Sequence, residues 1–204
     1  MQLVVASILG IGLALLCIRS FDNGVRPTLI AIAEAKVKNA VTVIINAAVD
    51  ETIAAQAIAY DDIISLQTDQ SGRITALTSN SAEMNRLRGH IVDAIICKVG
   101  ILDTGDLGVP LGNLTGFAAL SDRGPTLPVQ VLSVASADAV FRNQFSAAGI
   151  NQTYHQVMLD VTVNIKLLVP GGTVETSVLS QINVAETVIV GQVPDAYLQF
   201  EQQH

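Results

Sequence analysis

The feature that most constrains this chain is a strict alternation near its C-terminal end. Val157, Leu159, Val161, Val163, Ile165, Leu167 and Val169 take every second position, while Asp160, Thr162, Asn164 and Lys166 stand between them. A period of two puts the first set on one face of an extended strand and the second set on the other. A helix of this sequence would scatter both sets around its circumference, so the segment reads as a strand with one dry and one wet face. Pro170-Gly171-Gly172 turns the chain, and Val174, Thr176, Val178, Ser180, Ile182 and Val184 alternate back. The first run is thirteen residues long, against a usual upper limit of about ten.

A long apolar sheet face has to be covered, and the chain supplies a cover. From Pro27 to about Tyr60, Ile30, Ala33, Val37, Val41, Ile44 and Ala48 recur at helical spacing, with no Gly or Pro after Pro27. Pro27 suits a first helical position, and Glu34 and Lys38 form an i,i+4 pair in the favourable order. The β-branched run Val41–Ile45 favours strand on its own, but Ala-rich flanks carry the helix through it. Further on, Ile63–Thr68 and Arg73–Thr78 bracket the turn signal Asp69-Gln-Ser-Gly72 and read as a short hairpin. Asn80 with Glu83 resembles a capping box opening a helix Ser81–Lys98. Gly100–Pro128 holds six glycines and three prolines but is too apolar for a linker, and reads as an ordered loop with short extended pieces. Leu127–Ser136 is a strand; Asp138–Phe145 has no decisive period.

Ahead of all this, Leu3–Ile18 is uncharged and mostly apolar, ending at Arg19. Its sixteen residues rise about 24 Å as a helix, a little short of the ~30 Å hydrocarbon core. Met1, Phe21 and a snorkelling Arg19 make up most of the deficit. We read it as a single membrane anchor, over a cleaved signal peptide or a buried core helix. A basic n-region is missing, and the first A-x-A pattern, Ala31–Ala33, lies well past the run. Leu15 and Leu16 before Cys17 argue against lipidation. Asn23-Gly24 is expected to break or bend the helix. Arg19, Arg26, Lys36 and Lys38 follow the run with no Lys or Arg before it, which taken literally keeps the bulk of the chain cytoplasmic. The expected fold is α+β: an N-terminal transmembrane helix (1–21), then a single elongated α+β domain (22–198) with a long helix packed on an antiparallel sheet that contains a long C-terminal β-hairpin, and a tail (199–204).

Composition narrows the chemistry. Charged residues are 14% of the 204 and the net charge is −7, so a nucleic-acid partner is not expected. Two cysteines and three histidines leave little for a closed zinc site. Gly105, Gly108, Gly112 and Gly116 match neither a dinucleotide nor a P-loop pattern. Asp103, Asp106 and Asp122 lack the spacing of a calcium loop. His90 and Cys97 share a helix face but stand two turns apart, about 10 Å, too far for a nucleophile pair. His155 and His204 have no ligand-bearing neighbours, and the glycosylation patterns at Asn113 and Asn151 carry no weight. No residue supports an enzyme, a cofactor or a metal. The apolar sheet face is best read as packed on the helix; a groove holding an acyl chain or lipid, and a sheet edge used for self-assembly, remain as alternatives.

Five segments in order, Arg26-Pro-Thr-Leu-Ile-Ala-Ile-Ala-Glu-Ala-Lys36, Val109-Pro-Leu-Gly-Asn-Leu-Thr-Gly116, Arg123-Gly-Pro125, Ala148-Gly-Ile-Asn-Gln-Thr-Tyr-His-Gln156 and Glu186-Thr-Val-Ile-Val-Gly-Gln-Val-Pro194, together resemble the YunB family of sporulation proteins. The resemblance covers nearly everything from Arg26 to Pro194. It implies an endospore-forming bacterium, expression in the mother cell, an N-terminal single-pass anchor in the mother-cell or outer forespore membrane, and a non-enzymatic part in spore-envelope assembly. Its implied partners are the membrane and other spore-assembly proteins or further copies of the chain, with a lipid ligand as the alternative role. A basic stretch usually precedes the anchor in that family; with such a head the bulk would lie outside the mother-cell cytoplasm. On this reading Pro110, Gly112 and Gly116 set turns near the sheet end. Gly149 permits an unusual backbone, letting Asn151 and His155 bond an adjacent loop, a structural role ahead of a binding one.

Overall fold

A computed structural model describes residues 2–70, 74–102, 107–149 and 151–191. Helix α1 (Gln2–Ser20) passes through a π-helical turn (Phe21–Val25) into α2 (Arg26–Gln56). There follow α3 (Tyr60–Ile63), β1 (Ile64–Thr68), β2 (Ile74–Ser79) and α4 (Ser81–Gly100). Short strands β3 (Val109–Pro110) and β4 (Thr126–Leu127) enclose two 3-10 turns, Leu111–Leu114 and Ala118–Leu120. Strands β5 (Gln130–Gly149), β6 (Gln152–Val169) and β7 (Gly172–Val190) form a sheet in the order β5-β6-β7, and β1-β2 and β3-β4 pair separately. The expected α+β class is therefore present, and β5 runs unbroken through Asp138–Phe145 beside its sheet neighbour β6.

The alternation in β6 is realised without a miss: every odd position from His155 to Val169 is buried and every even one is half-buried or exposed. Along β7, Thr176 and Val178 are buried and Val174, Ser180, Ile182 and Val184 half-buried, as expected; the phase slips at Ala185, where two half-buried residues adjoin. Lys166–Glu175 (3.2 Å) and Gln181–Asp160 (3.0 Å) are each equidistant from the Pro170-Gly171 turn, the mark of an antiparallel hairpin. Asp160 also pairs with Arg142 of β5, so the wet face ties β6 to both neighbours.

The chain gathers into two compact units, Met1–Val43 with Val99–Ser136 and Val163–Val178, and Ile44–Lys98 with Ala137–Thr162 and Leu179–His204. In the first, Leu29, Ala33, Val37 and Val41 of α2 are buried, as are Leu107, Val109, Val129, Val163, Ile165, Leu167 and Val169. The Lys36 ammonium donates to the Gly108 carbonyl at 2.7 Å. In the second, Ile45, Ala48 and Val49 are buried with Leu87, Ile91 and Ile95 of α4 and Val157, Leu159 and Val161 of β6. Ser180 of β7 donates to Asn46 of α2 at 3.2 Å, and Lys98 pairs with Glu51 at 2.7 Å. Ile63, Ile64, Met84 and Val157 cluster beneath the β1–β2 hairpin, with Leu66 opposite Leu77.

Several expectations are refined. The buried stripe of α2 runs through Leu29 and Ile45; Ile30 and Ile44 are only half-buried. Residues 29, 33, 37, 41 and 45 follow an i±4 ridge, the row that interdigitates with a neighbour, and a mean period of 3.6 does not select it. Asn23-Gly24 bends the helix through a π turn and does not end it. Half of the capping box forms: Asn80 Oδ1 accepts the Glu83 N–H at 3.3 Å, but the Glu83 carboxylate pairs with Arg86. A helix α1 forms where the apolar run lies, yet among the described residues no helix is long and apolar enough to cross a membrane.

Val163 is wholly buried and Thr162 faces the other way. Val163→Asp should lower stability by several kcal/mol, since it buries an unpaired carboxylate. Thr162→Asp should change it by less than about 1 kcal/mol. Thermal unfolding of the full chain in a mild detergent compares them, and equal losses would contradict the one-sided strand.

Candidate functional site

The six residues singled out above fall into two groups, one in each unit. In the second unit, Gly149 (φ +151°) and Asn151 (φ +58°) reverse the chain between β5 and β6. The Asn151 carbonyl accepts the Gly191 N–H at 2.6 Å, closing the end of the hairpin. Four residues on, His155 falls on the dry face of β6 and is completely buried. A buried imidazole needs partners for both nitrogens. Nδ1 lies 2.7 Å from the Tyr60 hydroxyl of α3, and Nε2 lies 3.2 Å from Asn143 Oδ1 of β5. The Asn143 amide nitrogen in turn donates to Ser79 Oγ of β2 at 3.2 Å.

These contacts select one protonation state. Asn143 Oδ1 can only accept, so Nε2 carries the proton, and Nδ1 then accepts from Tyr60. The neutral ring is satisfied twice over, and burial holds its pKa below the usual histidine value. Burial and the Asp61 charge raise the Tyr60 hydroxyl, which keeps it protonated as a donor. Phe145 stacks on the imidazole at 4.5 Å and Tyr60 meets it edge-on at 5.8 Å. The chain Tyr60–His155–Asn143–Ser79 joins α3, β6, β5 and β2 through one buried polar line. It has no free nitrogen to offer a substrate, so its geometry is that of a fastening.

In the first unit the other three residues shape the loop between α4 and β5. Pro110 pairs across from Thr126, with Val109 opposite Leu127. Gly112 donates to the Arg123 carbonyl at 2.9 Å, and a Cβ there would stand 1.8 Å from the Leu120 carbonyl oxygen and 2.7 Å from that of Arg123. No other residue fits. Gly116 (φ +73°) takes a left-handed conformation. Asn113 Oδ1 accepts the Asp122 N–H at 2.7 Å and the Ser121 hydroxyl at 3.2 Å, and its amide donates to Asp122 at 3.1 Å. Asp122 is thereby accounted for as a turn residue. The loop presents Phe117, 70% exposed, on this cross-tied base.

His90 and Cys97 are both exposed on α4. Asp103, Asp106 and His204 lie outside the described residues. Among the described residues no three His, Cys, Asp or Glu side chains group as metal ligands. The burial of His155 was readable in principle, because position 155 continues the odd-numbered alternation two residues ahead of Val157. Its partners were not, since Tyr60 is 95 residues away in the chain.

Both groups lie within the segment that matches a known family model. Residues 106–196 match the family Sporulation protein YunB. The chain is also similar to the protein named Sporulation protein YunB of Bacillus subtilis (strain 168), at 21% identity over 186 residues, covering 86% of this chain and 73% of that protein. No solved structure shows a significant match.

Two outcomes follow for the fastening and the loop. Because the folded-state pKa of His155 is lowered, the unfolded chain binds the proton more readily, so stability is full above about pH 6.5 and falls as pH drops below it. His155→Gln should flatten that dependence below about pH 6.5, as read from unfolding midpoints at each pH. Gly112→Ala should cost about 2 kcal/mol or more, because its methyl meets backbone and not a movable side chain.

Proposed function

The chain belongs to the YunB family of sporulation proteins, and from that premise we propose that it is a membrane-anchored, non-enzymatic protein contributing to spore-envelope assembly in an endospore-forming bacterium. The observation that carries the anchoring is the state of α1. Val5, Ile8, Leu9, Ile11, Leu13, Leu15, Leu16 and Ile18 are each more than half exposed. They point to every side of the helix, so nothing among the described residues covers them. A helix apolar all round is stable only when its surroundings are apolar. Arg19 at its end supplies the charge that stops an apolar segment at an interface.

The non-enzymatic reading is supported by the two motif groups. Each uses its polar atoms on the fold itself: His155 on Tyr60 and Asn143, and Asn113 on Ser121 and Asp122. What remains for action is surface, including the exposed Phe117, which suits contact with other spore-assembly proteins or further copies of the chain. The place of action is the mother-cell or outer forespore membrane, with the bulk of the chain outside the mother-cell cytoplasm. A second reading, binding of a lipid or other apolar ligand, is favoured by an apolar cavity of about 310 Å³ lined by Pro128, Gln130, Leu168, Val169 and Pro170.

Removal of Met1–Ser20 should shift the protein from the membrane fraction to the soluble one. Retention of the unaggregated truncated chain on membranes would refute the anchor. A fluorescently tagged full chain should gather at the forespore during sporulation; uniform signal throughout would contradict the envelope role.

A further inference from the structure

Most basic side chains are paired: in the first unit Lys38 pairs with Glu34 and Lys166 with Glu175. In the second, Arg86, Arg88, Lys98 and Arg142 all make ion pairs. In the first, Arg26 makes no hydrogen bond or ion pair among the described residues, and its Nε is buried without a partner. Arg26 is half-buried, and a cationic side chain whose Nε is buried without a partner gains from an anion at its remaining nitrogens.

The surroundings of Arg26 are built for its side chain. Its guanidinium lies over the β6–β7 turn, where a Cβ at Gly171 would come within 3.2 Å of Nε and one at Gly172 within 3.3 Å of a terminal nitrogen. Both glycines also have positive φ, +93° and +140°. The turn thus leaves room for the guanidinium that other residues would take away. The apolar cavity lined by Pro128, Gln130, Leu168, Val169 and Pro170 opens beside this same turn. A lone cation next to an apolar recess matches an amphiphile with an anionic head.

The position along the chain matches as well. Arg26 stands eight positions past Ile18, the last of the apolar run, a helical rise of about 12 Å. The headgroup layer adds roughly 5–8 Å beyond each face of the hydrocarbon core. The Arg26 backbone therefore stands about 4–7 Å outside the headgroup layer if α1 is inserted, within the reach of a phosphate-bearing headgroup and an arginine side chain, a placement that rests on the anchoring proposed above.

We propose that Arg26, set over the Pro170-Gly171-Gly172 turn, binds the phosphate of an acidic phospholipid headgroup, with the adjoining apolar cavity receiving part of an acyl chain. The planar guanidinium presents paired donors suited to phosphate oxygens. Arg26 and the family segment it opens then have a role distinct from insertion: they fix the first unit against the lipid surface.

The full chain in a neutral detergent provides the test, with ligand binding followed by calorimetry and by thermal shift. The probes are dihexanoyl phosphatidylglycerol, dihexanoyl phosphatidylcholine and inorganic phosphate. Phosphatidylglycerol should bind saturably, and both phosphatidylcholine and phosphate about tenfold or more weaker. Arg26→Gln should lose about tenfold or more of the phosphatidylglycerol affinity, as expected for a charge-assisted bond. Arg26→Lys, which keeps the charge, should retain part of it and serves if the glutamine variant fails to fold. Leu168→Ser should weaken the lipid but not phosphate. Equal binding of phosphate and lipid would reduce the site to a bare anion site and overturn the proposal. So would unchanged affinity in folded Arg26→Gln or in Arg26→Lys. Because the assay needs no inserted helix, its failure is separate from failure of the anchor, which fractionation reads.

Discussion

Everything in this fold leans on the dry face of β6. Eight odd-numbered positions from His155 to Val169 are buried in succession, and burying that row is the principal gain available to a chain with few aromatic side chains. At about 25 cal/mol per Å² of apolar surface, such a row outweighs any of the exposed ion pairs on the opposite face, which contribute little individually. The row also dictates register. A slip of one residue would bring Asp160, Asn164 and Lys166 inward and turn the valines out, so the hairpin has a single acceptable pairing. The ties from Asp160 to Arg142 and Gln181 follow from that register and do not cause it.

The one polar member of the row is His155, and its cost is offset locally. Tyr60 and Asn143 complete its hydrogen bonds while Phe145 covers the ring. A fully satisfied buried polar line specifies one arrangement of the elements it joins, because a shifted element would strand a donor or acceptor in a dry site. Four elements meet at this line, including the short helix α3 that precedes the β1–β2 hairpin. The Gly149–Asn151 reversal sets where β6 begins, and so fixes which residue lands on the dry face. In the first unit the same logic is carried by backbone: Gly112 allows two loop strands to touch, and Asn113 stitches the return at Asp122.

The N-terminal region obeys different physics. Its apolar side chains face outward, and its helix continues into α2 through a π turn. The residue at that junction, Arg26, reaches back to the β6–β7 turn. The proposed anchor and the end of the central hairpin therefore meet at one side chain, which is why we propose a lipid phosphate at Arg26.

The sequence by itself determined what depends on backbone period and turn chemistry. The hairpin at Pro170-Gly171-Gly172, the wet and dry sides of β6, the helical state of Val41–Ile45, the Asn80 cap and the ordered set of segments that marks the family were all readable along the chain. These are local: a strand's two-residue repeat, or a glycine's positive φ, needs no distant partner. Only the tertiary structure decided which ridge of α2 faces inward, choosing Leu29 and Ile45 over Ile30 and Ile44, because the choice belongs to the surface it packs against. It alone supplied His155 with Tyr60, placed the Leu120 and Arg123 carbonyls against Gly112, and laid Arg26 over Gly171. The first and last of those contacts join residues about a hundred or more apart in sequence, and no period in the chain encodes where its closure will bring any of them.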